Sequence, residues 1–594
     1  MRLRWIATCL LGGAIAMGEE PNVESPTKGP VRTKIQMDPD GSSKPRVVVI
    51  PKEEEKAVKP ADTPGVEAAI PEPVKALGEP RMMSFPSGIQ MAVTAATEKA
   101  QAHVNQGMNH IHGGWEFEAS RHFAAAMRED PECLLAHWGM LLSLLTPSPE
   151  TDPARIAVTA RLLDLVDQGK GTELERGYCY GLIKYLEEGP VGGANAFRKV
   201  AEKFPNDLQA SIFAALFSRG GYDEFGTATP DQEAAEKTLK ALVEKHPESP
   251  VPLNALLSIR ADGPDLSSCV DLAVKLTQIS PDYPPYFHLL GHYEWRSGHH
   301  GKAATALGRA SSQYKKWMEE NRAKIADCPE WVKAECYRIV SLVSKGEFDT
   351  AYAAARQIAA TPAQKDRGSS PGVRLLLWDA KTLPARILIH RNLPGNAGEA
   401  LASLPTPDEM KAFHGKTIAY WWIDGLRFAL EAQRLIDHKD FSTARDVAVA
   451  LSQHGETFSK TQGTATAIGE RSAWTRAFRA LEVLASDLRG RLALAGPEDR
   501  IGTAYNWFAS AADRQRPSPM MFPPMLLTPM SIRLGEYYLA VGQPAEAIES
   551  YQRALGIFPN DMHALLGLKK SYDDAKLPAE AAATEEKIRL LRTQ

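Results

Sequence analysis

The sequence has little of what marks a membrane protein or a nucleic-acid-binding protein. Aromatic residues make up only 8% of the 594 residues, and there are only six cysteines. No uninterrupted apolar run approaches the ~20 residues that a membrane-spanning helix needs. Neither charge sign dominates, because 69 Lys and Arg residues against 73 Asp and Glu residues leave a net charge of -4. This balance excludes a global basic footprint for nucleic acid or an anionic membrane.

Short catalytic motifs are also missing from the sequence. It contains no phosphate-binding glycine loop, no GxSxG nucleophile motif and no dinucleotide-binding glycine pattern. No Cys-x-x-Cys pair occurs that would indicate a zinc ribbon or a thioredoxin-like redox site. The sequence therefore predicts no enzymatic activity and no cofactor.

The first residues have the layout of an export signal. A basic start, Met1 to Arg4, precedes an uncharged and mostly apolar run from Trp5 to Ala16. Ala14-Ile15-Ala16 fits the small-x-small pattern that a signal peptidase reads. The alternative is a fortuitous apolar start of a cytosolic protein. We expect a signal peptide over residues 1–16 and a bacterial protein that is exported, either periplasmic or secreted.

Residues 17–85 have the composition of a linker. Eleven prolines lie between Met17 and Pro80, and that stretch contains no aromatic residue. Such a segment cannot bury enough apolar surface to offset its ordering entropy. We predict a disordered, Pro-rich linker, in which Val47-Val-Val-Ile50 is an apolar patch; pairing of this piece as a strand is the alternative.

The remaining five hundred residues contain an internal repeat. A set of small and apolar residues recurs with successive spacings of 12, 4, 3 and 5. Its two complete copies are Gly107, Ala119, Phe123, Ala126 and Pro131, and Gly535, Ala547, Tyr551, Ala554 and Pro559. Gly291 and Ala303 begin a third copy. The small residues let two helices approach closely, the spacings of 4 and 3 define one helical face, and the proline ends the second helix.

This pattern resembles the tetratricopeptide repeat (TPR), a 34-residue helix–turn–helix unit. The resemblance implies an all-α fold of stacked helical hairpins, a solenoid or superhelix. The small residue of the second helix also falls at Ala351, Ala444, Ala504 and Ala581. The predicted parts are N-terminal TPR-like repeats over 86–320, central irregular helical repeats over 321–516, and C-terminal TPR repeats with a capping helix over 517–594. A helical bundle without repeats is the alternative.

Two segments are similar to long exported bacterial TPR proteins of unassigned function. Asp130-Pro-Glu-Cys133, followed by Ala136-His-Trp-Gly139, looks like the first repeat boundary of those proteins. Their middle repeat carries His-x-Pro-x-His, then Arg and Gly. His288, His292 and Arg296 keep that spacing here, although the proline is missing. The likeness implies an exported repeat protein and no established reaction.

One repeat unit, 284–315, carries side chains suited to ligand binding. In proteins resembling this one, the first helix of each unit lines the concave face; here it bears His288, His292, Trp295 and Arg296. Arginine pairs with carboxylates and tryptophan offers an apolar platform. We predict that these four residues form a groove for a peptide with an acidic group or a free C-terminus. Packing between repeats is the alternative.

The same histidines allow a hypothesis of another class. His288 and His292, four residues apart, suit a small-ligand or metal site, or an enzyme that uses the interior of the superhelix. No carboxylate lies between them, so they do not form the HExxH pattern of zinc hydrolases, and we assign no metal. Five other histidines gather in the first unit: His103, His110, His112, His122 and His137. Because they spread over different helix faces, we predict a surface or packing role for them.

Two further features leave alternatives open. The segment Pro517 to Met530 holds five prolines and four methionines; we predict a rigid apolar connector, with a copper site or a plug in the superhelix as alternatives. Removal of the signal leaves five cysteines, and the spacing of Cys328 and Cys336 allows a local disulfide. The other three fit helical apolar patterns as small buried residues.

These patterns together predict an exported TPR scaffold without catalytic activity. We expect it to bind a protein or peptide partner in its concave groove, and we expect no nucleic-acid partner and no transmembrane segment. The sequence names neither the partner nor the oligomeric state.

Overall fold

The structure, a computed structural model, describes residues 33–36, 46–49, 63–223, 226–264, 266–464, 469–496, 501–516 and 522–593. The predicted signal peptide, residues 1–16, lies outside the described residues. The chain divides into two compact units, Met1–Ile259 and Arg260–Gln594, and each is described here by itself.

The first unit contains one pair of strands and a series of helices. The antiparallel strands are β1 (Thr33–Gln36) and β2 (Arg46–Val49). The helices are α1 (Thr63–Ala68), α2 (Glu72–Lys75), α3 (Glu98–Gly113), α4 (Glu116–Glu129), α5 (Leu134–Ser143), α6 (Asp152–Asp167), α7 (Glu173–Lys203), α8 (Leu208–Ser218), α9 (Pro230–Lys245) and α10 (Pro250–Arg260).

Among its described residues, the second unit has helices as its regular secondary structure and no strand. Its α-helices are α11 (Ser267–Ile279), α12 (Pro284–Arg296), α13 (His300–Asn321), α14 (Pro329–Lys345), α15 (Phe348–Ala359), α16 (Pro371–Leu375), α17 (Leu383–Arg391), α18 (Asn396–Ser403), α19 (Pro407–Lys411), α20 (Ala419–Asp437), α21 (Phe441–Lys460), α22 (Glu470–Ala495), α23 (Ile501–Arg514), α24 (Met530–Ala540), α25 (Pro544–Ile557), α26 (Met562–Asp574) and α27 (Pro578–Thr593). Short 3-10 turns occur at Ile325–Asp327 and Thr461–Thr464, and a π-helical turn at Leu376–Ala380.

The predicted repeat spacing corresponds to contacts between a glycine and a large side chain. A Cβ atom built on Gly107 of α3 would lie 2.6 Å from the Phe123 ring of α4, and one on Gly139 of α5 would lie 2.1 Å from the same ring. Phe123 is therefore held between two helices that only glycine allows to approach so closely. Tyr551 is held in the same way between Gly535 and Gly567. Cβ atoms built on these two glycines would lie 2.6 and 2.2 Å from its ring.

The other repeat residues occupy matching places. A Cβ atom built on Gly291 of α12 would lie 2.4 Å from the Leu307 side chain of α13. The small residues of the second helices are all buried: Ala119, Ala126, Ala303, Ala351, Ala444, Ala504, Ala547, Ala554 and Ala581. Pro131 and Pro559 each follow the end of a second helix, α4 and α25. The all-α class and the TPR-like helical hairpins are thus confirmed.

Helical structure is present before the predicted boundary at residue 85. Helices α1 and α2 fall within the predicted linker, and Val66, Ile70 and Val74 are buried in the same apolar core as α3 and α4. These few apolar residues suffice because α4 and α6 offer them a surface. Residues 46–49 also pair as a strand, where we expected an apolar patch. Residues 17–32, 37–45 and 50–62 of the predicted linker lie outside the described residues.

Helix α7 contains a complete hairpin without a loop. Gly189, with φ 75°, interrupts the helical backbone just before Pro190. The two halves then pack on each other, so that a Cβ on Gly181 would lie 2.5 Å from the Phe197 ring. A glycine in the left-handed region followed by a proline therefore replaces the usual turn between paired helices.

The cysteines contribute to packing. Cys133, Cys179, Cys269, Cys328 and Cys336 are all buried thiols, and none of these described cysteines forms a disulfide. The bridge that the spacing of Cys328 and Cys336 allows is therefore not formed.

Candidate functional site

The histidines predicted to line a groove lie inside the packed helices of the second unit. His292 is fully buried on α12; its Nδ1 lies 2.8 Å from the hydroxyl of Tyr337, and its Nε2 lies 3.1 Å from the carbonyl oxygen of Ala261. Both ring nitrogens are thus engaged by the protein. Burial holds the pKa of His292 well below its ordinary value, so the ring is neutral and serves as a hydrogen-bonding core residue.

The rest of the predicted groove packs in the same layer. His288 is buried against Tyr337, and burial lowers its pKa to about 3. The buried Trp295 donates from Nε1 to Ser344 Oγ at 3.1 Å. Only Arg296 is partly exposed. The contact between α12 and α14 thus uses the residues that we had placed in a ligand groove or a metal site, and the candidate ligand site lies elsewhere.

An open depression lies at the C-terminal end of α13. Its volume is about 510 Å³. The half-buried side chains of Ile325 and Trp331, with the buried Met318, provide its apolar floor. Helix α13 ends there because Arg322 adopts a left-handed conformation, φ 55°, and the chain turns into the 3-10 turn before α14. The depression therefore results from the way two consecutive helices are joined.

The rim of this depression is basic. Lys315, Arg322 and Lys324 are exposed, and among the described residues none of them forms an ion pair. Glu319 is the one acidic residue of the lining. Part of this positive charge complements the negative end of the α13 dipole. The combination of cations around an indole suits an acidic side chain or a terminal carboxylate next to an apolar residue.

In the first unit, α3 binds an extended stretch of the chain through side-chain amides. Asn105 accepts from the Met91 N–H at 2.9 Å and donates to the Met91 carbonyl at 3.1 Å. Asn109 does the same for Ile89, at 2.7 and 3.0 Å. Because amides four residues apart lie on one face of a helix, they match alternate residues of an extended segment. This ladder was not predicted, although the amide residues at 101, 105 and 109 show the spacing.

In the second unit, part of the Pro- and Met-rich segment is held in the interior. Residues 523–530 are buried. Arg386 Nη1 donates to the Pro524 carbonyl at 2.9 Å, and Arg476 Nη1 donates to the Pro523 carbonyl at 3.3 Å. Both guanidinium groups also lie near the buried Asp379, at 3.7 and 3.6 Å. The described part of the segment is thus packed against buried side chains, and residues 517–521 lie outside the described part.

Three histidines of the first unit come together, contrary to their predicted spread. His103 and His122 contact each other through their Nδ1 atoms at 3.1 Å, and the rings of His110 and His122 stack at 5.1 Å. The other two have separate roles: His112 bonds to Gln209, and His137 bonds to the carbonyl of Cys133. The spacings of seven between His103 and His110, and of four between Glu118 and His122, were the signal for this cluster.

No helix within the described residues is long and apolar enough to cross a membrane.

No family model and no curated protein matches the chain. Solved structures are similar to it. The TPR domain of P58(IPK) shares 14% identity and has a TM-score of 0.21, with 80% of this chain and 98% of that chain covered. The Cut9–Hcn1 hetero-tetramer of APC/C shares 12% identity at a TM-score of 0.26, covering 84% and 88%. Yeast Tom70 shares 11% at 0.25, covering 83% and 93%.

These identities and TM-scores are too low to support conclusions about this chain. The fold assignment therefore rests on the chain's own contacts, above all the glycines that pack on Phe123 and Tyr551. On that basis the chain is similar to tetratricopeptide-repeat proteins in its repeating, closely packed helical hairpins.

Proposed function

We propose that the chain is an exported, non-catalytic scaffold that binds an acidic peptide segment of a partner protein. The observation that supports this most directly is the open depression beside Trp331, whose rim carries three basic side chains without ion pairs. Three exposed basic side chains and a single acidic one, Glu319, surround the apolar floor. This excess of positive charge is complementary to a segment that combines acidic and apolar residues. The proposed partner is therefore a protein with an exposed segment of acidic and apolar residues.

The openness of the depression favours a peptide over a small molecule. Sites for small molecules bury about 70–90% of the ligand surface in a cleft. The depression at 315–331 is open to solvent and has an indole in its apolar floor, so it suits one anchoring side chain of a longer segment. The interior around His288 and His292, the alternative site for a small ligand or a metal, is filled by packed side chains.

The chain's own contacts illustrate how such a fold holds an extended segment. Asn105 and Asn109 each bind both main-chain groups of one residue in the first unit. This mode depends little on the sequence of the bound segment, so specificity has to come from charge and side-chain pockets. In the proposed site, Lys315, Arg322 and Lys324 would supply that charge.

The direct test measures the binding of synthetic peptides to the mature chain. One peptide carries three glutamates and one leucine, and its control has glutamines in place of the glutamates. The charge-reversal variant is K315E/R322E/K324E, and the matched control is K199E/K237E/K587E, which changes the net charge equally at exposed positions elsewhere. Three exposed charge contacts of about 0.2–1 kcal/mol each predict a loss of about threefold to 150-fold in affinity for the acidic peptide.

Each outcome decides between the site and a general effect of charge. The proposal expects the control variant to retain its affinity, and Trp331→Phe to bind better than Trp331→Ala. Equal losses in the two charge variants would mean that net charge, and not this depression, attracts the peptide. If the wild-type chain binds the glutamine peptide as tightly as the acidic one, the proposed partner chemistry is wrong.

Export is tested separately at the N-terminus. If residues 1–16 are a signal peptide, the exported protein begins at Met17, and Ala16→Arg blocks processing because signal peptidase requires a small residue there. N-terminal sequencing of the protein from each cell fraction measures this. An unprocessed chain confined to the cytosol would refute export and leave the peptide-binding proposal intact.

A further inference from the structure

The hairpin of α3 and α4 brings together three residues that are able to hold a metal ion. One potential ligand atom from each of His110, Glu118 and His122 lies within 4.8 Å of the others, and all three side chains are buried. We propose that this cluster is a binding site for a divalent transition-metal ion, with zinc as the ion that best fits its donors. The site is distinct from the peptide site proposed in the second unit.

The sequence spacing explains why these residues meet. Glu118 and His122 are four residues apart on α4, so they lie on the same helical face. His103 and His110 are seven residues, about two turns, apart on α3 and also share a face. Because the two helices pack closely at Gly107 and Phe123, these two polar faces meet inside the hairpin.

A hydrogen-bond relay leaves His122 with the tautomer that a metal requires. The Nε2 atom of His103 lies 3.2 Å from a carboxylate oxygen of Glu79, which accepts, so His103 carries its proton on Nε2. In the neutral imidazole only one ring nitrogen carries a proton, so Nδ1 of His103 is then an acceptor. The Nδ1 atoms of His103 and His122 lie 3.1 Å apart. The proton between them is therefore carried by His122 Nδ1, which donates to His103 Nδ1. The lone pair of His122 is left on Nε2, the atom available to an ion.

The surroundings of His122 agree with this assignment. Its Nε2 atom is buried and makes no hydrogen bond within the described part of the chain. A carboxylate–histidine–histidine relay of this kind orients a metal-binding imidazole and raises its basicity. His103 and Glu79 are thus positioning residues, not ligands.

The donor set selects among ions. Two imidazoles and one carboxylate suit zinc, copper or nickel, whereas calcium and magnesium prefer oxygen donors. Arg121 Nη1 donates to Glu118 Oε2 at 2.7 Å, so its charge already balances that of the carboxylate. The imidazoles therefore carry most of the binding, which disfavours the hard cations further. Three protein ligands leave one position of a tetrahedral zinc ion for water.

An ion at this place would connect the hairpin to the segment that covers it. Arg121 Nη2 donates to the Gly78 carbonyl at 3.0 Å, and the ring of Phe85 packs edge-on against His110 at 5.1 Å. Residues 78–85 therefore close the site from solvent. Because ligands held together by tertiary structure are separated in the unfolded chain, binding stabilises the folded unit.

The test uses the untagged mature chain, stripped of metal with a chelator and then given Zn²⁺ or Co²⁺. The proposal expects one equivalent of either ion by equilibrium dialysis and elemental analysis, with a visible Co²⁺ spectrum of tetrahedral type. The double variant H110Q/H122Q should bind about 100-fold more weakly or worse. The control H112Q/H137Q, which replaces two buried histidines of the same unit outside the cluster, should bind as the wild type does. Zinc should raise the melting temperature of the wild type and of the control only.

A measurement on the wild type keeps the proposal testable if the double variant does not fold. X-ray absorption of the zinc-loaded chain should show nitrogen and oxygen donors at about 2.0–2.1 Å with two imidazoles. Sulfur in the first shell at about 2.3 Å would place the ion at cysteines and overturn the assignment. Substoichiometric binding by the wild type, or equal binding by H110Q/H122Q, would mean that the cluster is a metal-free polar core.

Discussion

Asn109 binds both main-chain groups of Ile89. Its Oδ1 accepts from the Ile89 N–H at 2.7 Å, and its Nδ2 donates to the Ile89 carbonyl at 3.0 Å. The contact joins α3 to a segment twenty residues earlier in the chain, and both residues are buried. Gly88 allows this approach, because a Cβ there would lie 2.4 Å from Asn109 Oδ1.

We expect Asn109→Ala to lower the free energy of unfolding by about 2–6 kcal/mol. The substitution leaves a buried N–H and a buried C=O without partners, at about 1–3 kcal/mol for each group. Denaturant unfolding measures the loss, and hydrogen exchange should show a faster-exchanging Ile89 amide. Gln453→Ala, at an exposed position, is the control and should change stability by less than about 0.5 kcal/mol. An unchanged Ile89 amide would mean that the ladder does not hold this segment.

The close contact of Gly139 with Phe123 predicts that adding a methyl group at position 139 destabilises the chain. Gly139→Ala places a methyl group 2.1 Å from the ring, and overpacking of this kind costs about 1–3 kcal/mol. Phe123→Leu in the same chain should recover part of the loss. Gly455→Ala is the matched control, because nothing lies within 4 Å of its Cβ; there the higher helix propensity of alanine should stabilise by about 0.5–1 kcal/mol. Equal effects at the two glycines would contradict the hairpin packing.

The buried histidines predict loss of stability in mild acid. Burial lowers the pKa of His112 and of His137 from 6.5 to about 4 in the folded chain. Between these values the unfolded chain binds more protons, so stability falls as the pH falls from 6.5 toward 4, by up to about 3 kcal/mol for each histidine. Denaturant unfolding from pH 7.5 to 4.5 gives the slope. His137→Gln should reduce that slope by up to one proton, and an unchanged slope would show that His137 titrates normally.

Asp561 predicts a pH dependence of the opposite sign. Its side chain caps α26 by accepting from the Ala564 N–H at 3.0 Å, and burial raises its pKa from 3.8 to about 6. The folded chain binds more protons between these values, so this residue contributes less stability as the pH rises from 3.8 to 6. Asp561→Asn keeps an N-cap oxygen without the charge. It should stabilise the chain by up to about 3 kcal/mol at pH 8 and leave it unchanged near pH 3.5. A loss of stability at pH 8 would contradict the raised pKa.

The repeat contacts were predictable because they depend on residue size at a fixed spacing. Phe123 lies sixteen residues after Gly107, and Tyr551 sixteen after Gly535; both pairs are in contact. The chemistry of the stripe on α12 was not predictable in this way. The spacing placed His288, His292 and Trp295 on one face correctly, but only the position of α14 shows that Tyr337 and Ser344 cover that face.

The other differences between the sequence predictions and the structure have the same physical origin. The composition of residues 63–85 contains too little apolar surface for independent folding, yet α4 and α6 provide a surface on which Val66 and Ile70 are buried. The side chains that surround Trp331 come from a helix end and from the turn after it, and no periodicity marks them.

The sequence by itself determined the helical class, the hairpin unit and the small residues at which helices meet, because helix periodicity and side-chain volume are local properties. Only the tertiary structure decided which faces of these helices remain open. Whether a histidine on a helix, such as His292 or His122, faces solvent, another helix or a cluster of potential ligands depends on neighbours that are distant in the chain. The depression at Trp331 and the cluster at His110, Glu118 and His122 therefore became visible only in three dimensions.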